Sequence, residues 1–175
     1  MSINSVSTSR CCCWSPKGKQ IVVGFANGKL VQYKPDLKPA KAIDCPPNVV
    51  AGAFDTISVQ WLSTYQFAAV FLGQHENARP VLHIVNAPKA GVPQYIVYDD
   101  VCCSPAELRK SKMYLQHIIP WNMLLVVSAN CSEVNLLSTA EGGEFPSWVL
   151  EFPADVRIYL LLELSDLMIY LILLF

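Results

Sequence analysis

The sequence predicts an all-β fold, on three observations. Short apolar runs rich in Val, Ile, Leu and Tyr recur along it, twelve prolines and eight glycines fall between them, and one strand-turn-strand pattern returns several times. Its 175 residues suffice for one domain with a substantial core.

The first element is the strand that ends at Trp14. "SPKGK" (Ser15 to Lys19) closes it: Pro16 fixes φ where a turn begins, and Gly18 supplies positive φ where the turn needs it. "IVVGF" follows, then "ANGK" (Ala26 to Lys29), whose Asn27-Gly28 pair is a strong hairpin signal, then "LVQYK". Three antiparallel strands therefore form a meander. "IVVGF" is apolar on both faces and reads as an inner strand covered from both sides, while "LVQYK" is mixed and reads as nearer an edge.

The second unit is "TISVQWLSTYQFAAVFLG" (Thr56 to Gly73). Ile57, Val59 and Trp61 alternate with Ser58 and Gln60, "LSTY" turns, and the buried run "FAAVF" begins. The third is "KMYLQHIIPWNMLLVVSANCSEVNLLS" (Lys112 to Ser138): a strand ending near Trp121, a tight link, "MLLVVSA", a turn at "NCS", and "EVNLL". The tryptophans at 14, 61 and 121 stand at intervals near the roughly 40 to 50 residues of a four-stranded propeller blade. The fold expected is thus an incomplete WD40-like β-propeller, about three blades of antiparallel four-stranded meanders over residues 1–155, with an apolar carboxyl-terminal tail over 156–175. Another all-β arrangement, such as a sandwich with these tryptophans in its core, is the competing reading.

"SVSTSRCCCWSPKGKQIVVGFANGKLVQYKPDL", "IDCPP", "SVQWLSTYQFAAVF", "YLQHIIPWNMLLVVSANCSEVNLL" and "SWVLE", in that order over about residues 4 to 151, resemble the middle blades of the amino-terminal β-propeller of the large FG nucleoporins. The most specific piece is "WSPKGKQ" with "NGKLVQY" and "CPP" behind it. The resemblance implies a non-enzymatic interaction scaffold at the cytoplasmic face of the nuclear pore complex. Its implied partners are other nucleoporins and a DEAD-box RNA helicase that remodels exported messenger ribonucleoprotein. No segment here matches the family's main helicase-gripping loops, its FG repeats or its coiled-coil anchor. A generic propeller-like scaffold outside the pore, and a chain held at a membrane by its tail, are the alternatives.

After "SWVLEFPAD" the composition changes to "VRIYLLLELSDLMIYLILLF" (Val156 to Phe175), with eight leucines and three isoleucines. Its length fits a span or a helix. Glu163 and Asp166 near its centre, however, each carry roughly 2.5 to 3.5 kcal/mol of insertion cost. Its apolar residues follow neither a helical stripe nor strict alternation. The tail is therefore expected to lie outside the propeller, open to a helix, and either to cover an exposed blade edge or to promote aggregation.

Chemistry beyond binding finds little support. The seven cysteines include adjacent runs, Cys11 to Cys13 and Cys102 with Cys103, whereas zinc knuckles place two to four residues between ligands. Adjacent strand residues point to opposite faces. With no apolar h-region in "MSINSVSTSR", the cysteines read as reduced thiols of a cytosolic or nuclear protein, used for packing. Of the histidines, His75 lies in a polar loop, while His83 and His117 sit in apolar strands and read as structural. Asp99 and Asp100 beside Cys102 would raise a thiol pKa rather than activate it. "GFANGK" lacks the spacing and hydroxyl of a phosphate loop. No catalytic residue, metal ligand or cofactor is expected.

The formal net charge is −1, from 13 basic and 14 acidic residues scattered along the chain, so direct nucleic-acid binding is not expected. One weak partner-binding candidate remains, the loop "AEGGE", in which Glu141 and Glu144 flank two glycines and could meet a basic partner. A plain exposed turn is its competing reading.

Overall fold

The computed structural model describes residues 7–46, 53–75, 78, 80–98, 113–119, 122–128, 133–138, 147–151, 157–160 and 171–174. Among the described residues every regular element is a β-strand apart from a 3₁₀ assignment at Ile119. The chain forms two compact units, Met1–Pro105 and Ala106–Phe175.

In the first unit, β1 (Ser9–Trp14), β2 (Ile21–Phe25), β3 (Leu30–Tyr33) and β4 (Pro39–Ile43) form one antiparallel sheet in sequence order. The expected three-strand meander thus gains a fourth strand, which its proline and two alanines disguise. That strand is the sheet's outer edge, where Pro39 and Lys41 blunt further pairing. β2 is not covered from both sides: Val22 and Gly24 are buried, while Ile21, Val23 and Phe25 are half-buried.

β5 (Phe54–Ser63), β6 (Gln66–Gly73), β7 (Pro80–Asn86) and β8 (Gln94–Tyr98) make the second sheet, again in sequence order. The run "FAAVF" is buried along its whole length: Phe67, Ala68, Ala69, Val70 and Phe71 have no exposed surface. Its side chains alternate between the two faces of the sheet, and Phe67, Ala69 and Phe71 lie in the core cluster. Each fully buried Phe or Leu contributes about 1.5–3 kcal/mol. Val22, Leu30 and Ile43 of the first sheet pack with Val59, Trp61, Phe67, Phe71 and Val85 of the second in one cluster. Trp61 meets Phe67, its cross-strand partner, edge to face with ring centroids 4.6 Å apart. His83 is buried in β7 between Phe71 and Tyr95, in edge-to-face contact with both.

The second unit holds β9 (Met113–Ile118), β10 (Met123–Ser128), β11 (Glu133–Ser138) and β12 (Ser147–Glu151), an antiparallel sheet in the order β12-β11-β10-β9. Leu124 to Val127 of β10 are buried, the counterpart of "FAAVF". The strand expected to end near Trp121 ends at Ile118. Trp14 pairs with Ile21 and Trp61 with Phe67, and the corresponding place in the β9–β12 sheet is held by Ile118, opposite Met123. β9 ends at Ile118, and Trp121 lies outside the described residues. In the tail, β13 (Arg157–Leu160) and β14 (Leu171–Leu174) form an antiparallel pair, so its described residues are strands where the sequence had left a helix open. No helix among the described residues is long and apolar enough to cross a membrane.

Candidate interaction surface

The seam between the first two sheets fixes how their turns are presented. β5 is the end strand of its sheet, and its pairing with β6 is interrupted twice, between Thr56 and Ser58 and between Trp61 and Ser63. β1 lies along it and serves its backbone with sulfur. Cys11 Sγ donates to the Thr56 carbonyl (3.4 Å), and Cys13 Sγ accepts from the Trp61 amide (3.4 Å). Arg10 and Asp55 pair at 3.2 Å at the start of both strands. The contacts advance together from Arg10–Asp55 to Cys13–Trp61, so β1 and β5 run in the same sense.

Burial pushes the Cys11 thiol up to about 12 and raises Cys13 as well, so both remain protonated thiols at neutral pH. Cys12, between them, is exposed. Gly24 of β2 permits this approach: a Cβ there would stand 2.6 Å from Thr56 Cγ2 and 2.7 Å from Cys11 Sγ.

Because β1 and β5 run alike and both sheets are meanders, the four turns β1–β2, β3–β4, β5–β6 and β7–β8 emerge at one end of the first unit. Each is braced. In the first, Ser15 Oγ accepts from the Lys19 and Gln20 amides (both 3.1 Å), and the Gly18 amide donates to the Ser15 carbonyl (2.8 Å). In the second, the Leu37 amide donates to the Lys34 carbonyl (2.9 Å), and Asp36 Oδ1 accepts from the Lys38 amide (3.2 Å). The third and fourth are joined by the Ala87 amide on the Tyr65 carbonyl (2.8 Å). Lys41 of β4 reaches across the seam to the carbonyls of Ala87 and Pro88.

This end carries Lys17, Lys19, Lys34, Lys38 and Lys89, all exposed, against one acid, Asp36, which pairs with Lys38 at 3.3 Å. Among the described residues the other four lysines have no acidic partner. Large apolar side chains stand among them: Trp14 is 51% exposed, Leu37 70%, Tyr65 44% and Val92 83%. The opposite end differs, for there Arg10 pairs with Asp55 and Lys29 with Asp44 (3.8 Å). The arrangement offers positive charge and apolar anchors on rigid loops, which suits binding.

The lysines read as scattered because they are far apart in sequence; the meander returns them to one end. The recoverable signal was that lysines recur in three of the four odd-to-even turns, "SPKGK", "KPDLK" and "PKAG". Glu141 and Glu144 lie outside the described residues, as do Asp99, Asp100, Cys102 and Cys103. His83 and His117 sit in strands as expected; burial lowers the pKa of His117. Among the described residues no group of three His, Cys, Asp or Glu is placed to hold a metal ion.

Residues 4–156 match the family model described as NUP159/214 beta propeller. The chain is 50% identical to the nuclear pore complex protein Nup214 of Drosophila melanogaster over 147 residues, covering 84% of this chain and 9% of that protein. It is 34% identical to Nup214 of Homo sapiens, covering 79% of this chain and 7% of that one. It therefore spans less than a tenth of these relatives' length. Among solved structures, the WD40 domain of Toxoplasma gondii coronin superposes with a TM-score of 0.62 at 16% identity, covering 87% of this chain and 36% of that one, a likeness of fold.

Proposed function

Since the chain belongs to the NUP159/214 beta-propeller family, we propose that it is a non-enzymatic scaffold of the nuclear pore complex, at its cytoplasmic face, that docks a DEAD-box RNA helicase and other nucleoporins. The family match across residues 4–156 is the observation that carries this reading. The braced turn end supports it, since rigid loops lose little entropy on binding a partner. Residues 1–155 act as the partial propeller in this proposal and 156–175 as a tail outside it. Glu141 and Glu144 are kept as contacts for a basic partner.

The test is a pull-down of purified DEAD-box helicase by the 175-residue chain and by a version ending at Asp155, both checked for β structure by circular dichroism. Retention by both, reduced by Glu141→Lys with Glu144→Lys, is the expected result. Folded chains that retain no helicase would remove the helicase from the proposal, and retention unchanged by the double substitution would remove the two glutamates.

A further inference from the structure

Resting on that scaffold reading, we propose that the turn end of the first unit binds an extended acidic peptide segment of a partner protein, one that carries apolar side chains among its carboxylates. Lys17, Lys19, Lys34 and Lys89 present positive charge without acidic partners among the described residues, while Trp14, Leu37, Tyr65 and Val92 expose apolar surface at the same end. Neither feature alone would specify an occupant, because lysines in turns are ordinary and single exposed apolar residues are common. Together, on one end, they define a ligand that is negative and apolar by turns.

Charge complementarity separates this end from its opposite. Among the described residues there, the cations Arg10 and Lys29 are matched by Asp55 and Asp44. Here an approaching anion meets five lysines and one aspartate. The turns are also fixed in advance. Ser15 closes the first with two side-chain bonds, Asp36 closes the second, and the third and fourth are bonded to each other, so the lysine backbones need no ordering when the ligand arrives.

The apolar set favours a peptide over single-stranded RNA. Bases need flat partners, and two of the four exposed side chains, Leu37 and Val92, are aliphatic. The turns at this end contain no arginine, the side chain that best joins charge to stacking. Apolar peptide side chains of any shape can pack on such aliphatic and aromatic side chains.

Fluorescence anisotropy of the 175-residue chain with a short dye-labelled peptide of alternating Glu and Leu or Phe tests this. Binding should weaken as salt is raised. Lys17→Glu with Lys19→Glu should weaken it by about tenfold or more, Lys89→Glu on a separate turn should also weaken it, and Leu37→Asn should weaken it several-fold. Lys29→Glu at the opposite end should leave it unchanged. The proposal is overturned if the lysine variants, folded by circular dichroism, bind as the parent does, or if an all-Glu peptide binds equally well. It is overturned in favour of RNA if oligo(U) of equal charge binds more tightly and displaces the peptide. Helicase retention in the pull-down without peptide binding would remove this inference and leave the scaffold reading standing.

Discussion

Cys11 shows how a thiol can serve a seam between two sheets. Its sulfur is small enough to sit beside Gly24, polarisable enough to pack, and able to give a weak hydrogen bond to the Thr56 carbonyl. The folded chain holds this proton up to about pH 12, whereas an ordinary thiol loses it near 9.0. The raised folded value means that its contribution to stability is whole below pH 9 and is lost as pH rises from there toward 12. Cys13, Cys45 and Tyr95 shift in the same direction, each chiefly through burial. The urea midpoint should therefore fall between about pH 8.5 and pH 10.5, and Cys11→Ala should make that fall shallower. Gly24 is the other fixed point. A methyl group there meets Thr56 Cγ2 at 2.6 Å in a site with no surface to yield into, so Gly24→Ala should destabilise by about 1–3 kcal/mol in urea unfolding. Adding Thr56→Ser, which removes that carbon, should recover part of the loss.

Strands were legible where side-chain pattern and burial agree. "FAAVF" and "MLLVVSA" read as buried runs because apolar residues fill both faces, and β6 and β10 are that. "SPKGK" and "ANGK" read as turns because Gly18 and Gly28 need positive φ, and they take φ of 63° and 77°. β4 was hidden because "PAKAI" has low strand propensity; it forms because β3 offers it an edge. The second turn was hidden for another reason: Leu37 takes the positive φ, 60°, that sequence reasoning reserves for glycine or asparagine. β9 ends at Ile118, three residues before Trp121, and a shorter link joins β9 to β10 than joins β1 to β2. The site was the least legible part. Its lysines lie in three separate turns; the meander brings the first two to one end, and the shared sense of β1 and β5 brings the third there.

At the scale of the molecule, the repeat separates stability from recognition. Core residues sit within strands, Val22, Trp61, Phe71 and Leu124 among them, while the exposed lysines and Leu37, Tyr65 and Val92 sit in turns. The family match ends at 156, so the last nineteen residues lie beyond it. A chain ending at Asp155 should accordingly keep a single cooperative thermal transition in calorimetry; loss of that transition would assign the tail a part in the fold.

The three adjacent cysteines carry one more consequence. Cys12 is open to any reagent, whereas Cys11 and Cys13 hold their sulfur atoms against β5. An alkylating probe will take the first at once and the other two only after β1 has lifted away. The tripeptide thus works as a built-in stopwatch: the lag between the first adduct and the next two, read by mass spectrometry, times the parting of neighbouring blades.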